Sequence, residues 1–212
     1  MAKAVSHPFF ARIYPRINAF AEAHGSIEHR QELLAGAHGR VVEIGAGTGA
    51  NFRHYPPEVT QVVAVEPEPR LRALAEQAAT EASVPVKMAA GRAEELPLED
   101  DGFDVAVFSL VLCTIADVPS ALAEARRVLK PDGELRFCEH VGSERPGFRR
   151  VQKALAVPWR LMGGGCHLTR DTERAIKEAD FTVEDISRFY FLINDRANPA
   201  SPSIIGTARP TT

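Results

Sequence analysis

One short run limits this chain's fold more than any other. Arg40-Val41-Val42-Glu43-Ile44 reads as an apolar strand and leads directly into Gly45-Ala46-Gly47-Thr48-Gly49. Residues without a Cβ let the backbone fold back sharply and let a ligand come close to it. A strand ending in such a turn begins a strand–helix–strand unit, and these units build a mostly parallel sheet covered on both faces. The rest of the chain continues the alternation. Residues 61–65, 85–89, 103–109 and 134–139 read as strands, the third of them dense in Val and Phe. Between them, Leu71, Leu74, Ala75, Ala78 and Ala79 follow helical spacing. Asp117 caps a further helix with an inner face of Val118, Ala121, Leu122, Ala125, Val128 and Leu129. Residues 145–178 read as helix interrupted at Gly163-Gly164-Gly165, and residues 181–189 and 203–208 as a final antiparallel pair. Ahead of the sheet, Phe9, Phe10, Ile13, Ile17 and Phe20 recur at helical spacing. Pro8 and Pro15 are expected to break that run, and Ser26 to cap a second short helix ending near Leu34.

The glycine turn gains meaning from Glu66, which ends the second strand twenty-one residues after Gly45. A carboxylate there can accept hydrogen bonds from both ribose hydroxyls of an adenosine cofactor. A dinucleotide site shares these features, since Gly45-x-Gly47-x-x-Ala50 fits the Gly-x-Gly-x-x-Ala form. Two details oppose it. Glu43 stands just before the turn, where a pyrophosphate would meet an unwelcome negative charge, whereas S-adenosylmethionine (SAM) carries an ammonium and a sulfonium. The standard dinucleotide fold also has no need of the antiparallel pair at the C-terminus.

Bulk properties narrow the field further. A formal net charge of -3 over 212 residues gives no global basic field for nucleic acid. No run approaches the ~18 apolar residues of a membrane span. The start, Met1-Ala2-Lys3-Ala4-Val5-Ser6-His7-Pro8, lacks the apolar core of a secretory signal, so a cytoplasmic protein is expected. Cys113, Cys138 and Cys166 make no disulfide framework, and a reducing compartment fits them.

Five motifs in order carry a family resemblance. Val42-Glu43-Ile44-Gly45-Ala46-Gly47-Thr48-Gly49 resembles motif I of class I SAM-dependent methyltransferases, and Val65-Glu66-Pro67 their ribose-binding motif. Gly91-Arg92-Ala93-Glu94-Glu95-Leu96-Pro97 resembles the adenine-side motif, Phe103-Asp104-Val105 with Ser109-Leu110-Val111-Leu112 motif II, and Val128-Leu129-Lys130-Pro131-Asp132-Gly133-Glu134 motif III. Within that class (the methyltransferase type 11 group), Gly49-Ala50-Asn51-Phe52, Tyr55-Pro56-Pro57, Leu110-Val111-Leu112-Cys113, Glu139-His140, Trp159 and Cys166-His167-Leu168-Thr169-Arg170 resemble the methyltransferase-like thiol S-methyltransferases and their bacterial relatives. The animal members carry an N-terminal membrane anchor, and no anchor is expected here.

The resemblance implies a Rossmann-like α/β fold with a seven-stranded sheet in the order 3-2-1-4-5-7-6, the seventh strand antiparallel. It implies SAM as cofactor and S-adenosylhomocysteine as product, lying over the carboxyl ends of strands 1, 2 and 4. The residues carried onto that site are Glu43, Gly45, Ala46, Gly47, Thr48, Gly49, Asn51, Glu66, Pro67, Ala93, Glu94, Ser109, Leu110 and Val111, with Tyr14 reaching in from a lid. Many relatives hold the adenine amino group with an Asp where Arg92 stands; a guanidinium cannot accept that bond, so it passes to Glu94 or a carbonyl near Ala93. The expected division is residues 1–36 as a helical lid and 37–212 as the SAM-dependent methyltransferase domain.

The acceptor side is read from residues at the ends of strands 4 and 5. His140 ends strand 5, and an imidazole suits a general base at neutral pH. His167, beside Cys166 in the loop after the triple glycine, is the second candidate. Asp117 is explained by capping, and Cys113 by packing. Cys138 and His140 share a strand face, yet no CxxC or HxxxH spacing supports a metal, and none is expected. Arg145, Arg149, Arg150 and Lys153 form a basic cluster leading to Trp159, which suits a solvated helix face or peripheral contact with lipid. The expected activity is methyl transfer to a small, apolar acceptor, with thiol sulfur first and a quinone-like carbon or natural-product hydroxyl behind it. A non-catalytic SAM-binding regulator and a nicotinamide dehydrogenase are the competing readings. A monomer and a homodimer are equally compatible with the sequence.

Overall fold

A computed structural model describes residues 8–211. The start read above as free of a signal, residues 1–7, and the side chain of Phe9 on the lid face lie outside the described residues. Seven strands form one sheet: β1 Gly39–Ile44, β2 Val59–Val65, β3 Val86–Ala89, β4 Phe103–Ser109, β5 Leu129–His140, β6 Phe181–Tyr190 and β7 Pro202–Pro210. Their order is β3-β2-β1-β4-β5-β7-β6, as expected. All neighbours from β3 to β5 are parallel, and β7 runs antiparallel to both β5 and β6. Among the described residues six α-helices accompany them: α1 Pro8–Ala21, α2 Ile27–Leu34, α3 Pro69–Ala79, α4 Val118–Val128, α5 Pro146–Met162 and α6 Thr172–Glu178.

Alternating side chains give the sheet two buried faces, which is why its central strands are apolar almost throughout. Val42, Ile44, Phe108 and Phe137 pack on one side with Val118, Leu122 and Val128 of α4. Val41, Val62, Val105 and Val107 pack on the other with Leu33 and Leu34 of α2 and with Phe52. Phe52, Phe103, Phe108 and Phe137 are fully buried. Each contributes roughly 1.5–3 kcal/mol relative to an exposed ring.

Three expectations are corrected. Helix α1 runs unbroken through Pro15. Proline removes one backbone donor, but contacts of Phe10 and Tyr14 with two glycine segments, and burial of Ala11, hold the helix across that gap. Ser26 does not cap α2: it has helical φ/ψ and no side-chain capping bond, and its Oγ is buried without a partner. A kink at His24 and Gly25, the latter at φ 99°, delivers the chain to α2 instead. Strand β5 begins at Leu129, five residues early, because Leu129 pairs with Phe103 while Glu134 pairs with Val105. The Pro131-Asp132-Gly133 turn is thus a bulge within the strand.

Parallel register brings the strand ends into line. Ile44 pairs with both Val65 and Phe108, and Ser109 with Cys138. Gly45, Glu66 and Leu110 therefore leave the sheet along one edge, with Glu139 near the end of β5 alongside, at the place where strand order reverses.

Candidate functional site

The turn after β1 is pinned to the end of β2. The N–H groups of Gly45 and Ala46 donate to the Val65 carbonyl at 2.8 and 3.1 Å. Gly45 and Gly47 have φ of 75° and 58°, a region that L side chains rarely adopt. A Cβ on Gly45 would lie 2.7 Å from the Val111 methyls, and one on Gly47 would lie 3.1 Å from the Tyr14 ring. Glu66 reaches back to this turn. Its carboxylate accepts from Gly47 N–H at 2.8 Å and from Glu68 N–H at 2.9 Å, and it is 5% exposed. Burial raises its pKa, partly offset by these two bonds. Each carboxylate oxygen keeps a second lone pair for another donor. Thr48 and Pro67 are half-buried on the rim of the turn.

Glu43 lies beneath. Tyr55 donates its hydroxyl to one oxygen at 2.8 Å and Asn51 its amide to the other at 2.9 Å. Arg30 of α2 donates to the Asn51 oxygen at 2.7 Å and to Asn18 of α1 at 2.6 Å. One buried network thus ties the glycine turn to both N-terminal helices. Burial lifts Glu43 to about 7, with Tyr55, Arg30 and Asn51 acting the other way.

The bend after β4 is held just as firmly. Leu110 sits at φ 60°, uncommon for a residue with a side chain. The amides of Val111, Leu112 and Cys113 all donate to the Glu139 carboxylate, at 2.8, 2.9 and 3.0 Å. Glu139 is fully buried at the end of β5, and burial raises its pKa against these three bonds. Arg170 donates to the Leu112 and Ile115 carbonyls, closing the bend from the other side. Sequence reading quoted Glu139 and Arg170 only as parts of motifs and gave neither a role. The available signal was a carboxylate beside the apolar Phe137-Cys138 pair at the end of the strand.

Next to this bend the structure gathers three side chains far apart in sequence. His140 Nδ1 lies 3.9 Å from Cys113 Sγ and 3.8 Å from Cys166 Sγ. The Cys113 thiol donates to Cys166, which lowers the Cys166 pKa and raises that of Cys113. Both cysteines are buried. His167 approaches through its backbone, its N–H donating to the Cys113 carbonyl at 2.7 Å. Its ring stays outside the three-residue group, with a pKa lowered first by burial. Cys138 packs in the cluster of Leu33 and Val107 and does not join them. Asp117 caps α4 by accepting from Ser120 N–H at 3.2 Å.

On the far side of Glu66, Ala93 is buried and Glu94 half-buried, and the Glu94 carboxylate pairs with Arg92 at 3.2 Å. Helix α1 spans the whole arrangement. Tyr14 packs against Gly47, and the Phe10 ring lies 2.8 Å from where a Gly164 Cβ would be. The fit to SAM is therefore testable on charge. Glu43 and Glu66 are two buried carboxylates, each raised chiefly by burial, and Glu43 further by the Glu66 charge. A ligand carrying an ammonium and a sulfonium relieves both, whereas a pyrophosphate would worsen both. Elsewhere, a depression of about 650 Å³ lies between α4 and α6. Its charged groups pair with one another, Arg127 with Asp100 and Arg126 with Asp180.

Comparison with known proteins agrees with this geometry. A family model described as a methyltransferase domain matches residues 42–137. Thiol S-methyltransferase TMT1B of Rattus norvegicus is 39% identical over 180 residues, covering 79% of this chain and 69% of the relative. Human thiol S-methyltransferase TMT1A is 34% identical over 70% of this chain but only 63% of its own length. Among solved structures, a putative methyltransferase complexed with the Haloferax volcanii Trm112 activator has a TM-score of 0.75 at 16% identity, covering 98% of this chain and all of that one. At this identity the likeness concerns fold alone.

Proposed function

We propose a thiol acceptor for this chain, which belongs to the SAM-dependent methyltransferases. The observation that carries the acceptor is the 39% identity over 180 residues with a protein named thiol S-methyltransferase. The site is consistent with it: His140 stands beside two buried sulfurs, at the sheet edge where Glu66 and the glycine turn also emerge.

Bound SAM supplies a methyl group already activated on a sulfonium. The chain's share is alignment, exclusion of water and removal of one proton. Alignment of this kind lowers barriers by ~7–11 kcal/mol in favourable cases. Glu66 grips the ribose with its free lone pairs, while Gly45, Ala46, Gly47, Thr48, Gly49 and Asn51 shape the turn beneath the amino-acid end. Glu43 opposes the ammonium, and Pro67, Ala93, Glu94, Ser109, Leu110 and Val111 border the adenosine. Residues 1–36 act as a lid, with Tyr14 closing over Gly47. Glu139 holds the 110–113 bend in place, so the acceptor meets a fixed wall. His140 takes the thiol proton; a thiol near pKa 8.5 requires only modest help from an imidazole. His167 is the second candidate for that step.

Labelled SAM offered with small thiols, phenols and quinols tests the reading. Methylated thiol is expected, reduced about 10²- to 10⁴-fold in His140→Ala with SAM binding retained. Transfer to phenols or quinols alone refutes the thiol, and full activity in His140→Ala refutes the base.

A second observation favours work at a lipid surface. Helix α5 exposes Val151, Leu155, Val157, Leu161 and Met162 beside Arg150, Lys153 and Arg160, and it carries no acidic residue. Apolar and basic groups together suit an anionic membrane. Among the described residues, no helix is long and apolar enough to cross one. Co-sedimentation with phosphatidylserine vesicles is expected, and is lost in Leu161→Glu; binding that ignores this change refutes the surface.

A further inference from the structure

We infer that Cys113, His140 and Cys166 form a binding site for a thiophilic divalent cation, zinc first, with one open coordination position. Three donors of this kind approach from three elements: the bend after β4, the end of β5 and the loop after α5. Their ligand atoms all lie within 4.8 Å of one another. The two sulfur-to-Nδ1 distances are 3.9 and 3.8 Å. Tetrahedral zinc, with Zn–S near 2.3 Å and Zn–N near 2.0–2.1 Å, sets sulfur and nitrogen about 3.6 Å apart. A contraction of about 0.2–0.3 Å brings both sulfur–nitrogen contacts to that separation.

The surroundings support the donors. Glu139 fixes the backbone of Cys113, and Cys166 N–H donates to the Gly163 carbonyl at 3.1 Å. Charge also balances. Two thiolates neutralise a divalent ion, while the buried Glu139 carboxylate is matched by the Arg170 guanidinium across the same bend. Two thiolates and one imidazole are a soft donor set, suited to zinc and unsuited to magnesium or calcium.

Three protein ligands rather than four leave a position open, as catalytic zinc sites do. Resting on the thiol reading above, that position receives the acceptor sulfur. The acceptor S–H bond breaks, its proton passes to solvent water, and a sulfur–metal bond forms, leaving a thiolate beside the bend. In this state His140 acts as a ligand through Nδ1 and the cation lowers the thiol pKa, which replaces the base role given to His140 above and keeps only the thiol acceptor.

The test uses the full chain, reduced, freed of metal and titrated with Co²⁺ under anaerobic conditions. One equivalent is expected to give thiolate-to-cobalt charge-transfer absorption, which Zn²⁺ then abolishes by displacement. Cys113→Ser, Cys166→Ser and His140→Gln are each expected to weaken uptake by about 100-fold or more, since even residues behind the ligands cost 10–100-fold. Cys138→Ala serves as the thiol control and should bind as the native chain does. A small thiol added to the cobalt protein should intensify the band. Absent charge-transfer absorption in folded native protein overturns the site, as does uptake equal in all variants. A band indifferent to added thiol overturns the acceptor's place on the metal. Thiol methylation by metal-free protein would sink this inference while leaving the proposed function standing, and loss of methylation with metal still bound would do the reverse.

Discussion

Replacing Glu66 with Gln separates what this residue does for the fold from what it does for the ligand. In the native chain its carboxylate accepts from Gly47 and Glu68 amides at 2.8 and 2.9 Å, and burial raises its pKa. A raised carboxylate binds its proton more tightly when folded, so at neutral pH its charge opposes folding. Gln removes that charge but turns an NH₂ toward one of the two amides, losing about 1–3 kcal/mol of bonding. These effects oppose each other, and the midpoint of thermal unfolding should move little. Cofactor binding has no such compensation. Two ribose hydroxyls exchange a charged acceptor for one neutral acceptor and one donor, and bonds to charged groups exceed neutral ones by roughly 1–1.5 kcal/mol each. The sum, about 2–3 kcal/mol, corresponds to roughly 30- to 150-fold in Kd. Calorimetric titration with S-adenosylhomocysteine, paired with thermal unfolding, reads both quantities. A Kd within threefold of native refutes the ribose assignment, and a collapse in stability refutes the claim that the charge is there for the ligand.

Two further perturbations probe the frame around the site. Glu139→Gln leaves one of three amides at the 110–113 bend facing an NH₂, so it should cost about 1–3 kcal/mol in urea denaturation; a loss below about 0.5 kcal/mol would show that the clamp is dispensable. Glu43, held at about 7 against a usual 4.5, keeps its proton in the native state after the unfolded chain has lost it. Its contribution to stability therefore declines as pH rises from about 4.5 to about 7. Glu43→Gln removes that part of the slope, and urea titrations across this window should show it; an unaltered slope counts against the assignment.

The sheet could be read from the chain because its central strands are apolar on both faces and its turns carry glycine or an acidic cap. Parallel packing makes such patterns local and strong. Glu66 was legible for the same reason, standing one residue beyond an apolar run. The three corrections share another cause. Pro15 stays inside α1 because contacts with Gly47 and Gly164, remote in sequence, outweigh a local preference. Ser26 has the chemistry of a cap, but the kink at Gly25 brings it in already helical. The early start of β5 depends on pairing with Phe103, which no local pattern encodes. The acceptor side was least legible. Cys113, His140 and Cys166 come from three separate elements with no regular spacing, so only the folded sheet edge brings them together. Glu139 passed unnoticed because its partners are backbone amides, which leave no trace in side-chain identity.

Helix α1 rests on two supports at once, Gly47 through Tyr14 and Gly164 through Phe10. On the lid reading proposed above, a helix lying across both makes traffic at the two ends synchronous. Lifting it to release a spent nucleoside would then also bare the methylated product. The turnover clock would be set by one collective departure of the helix rather than by two independent exits.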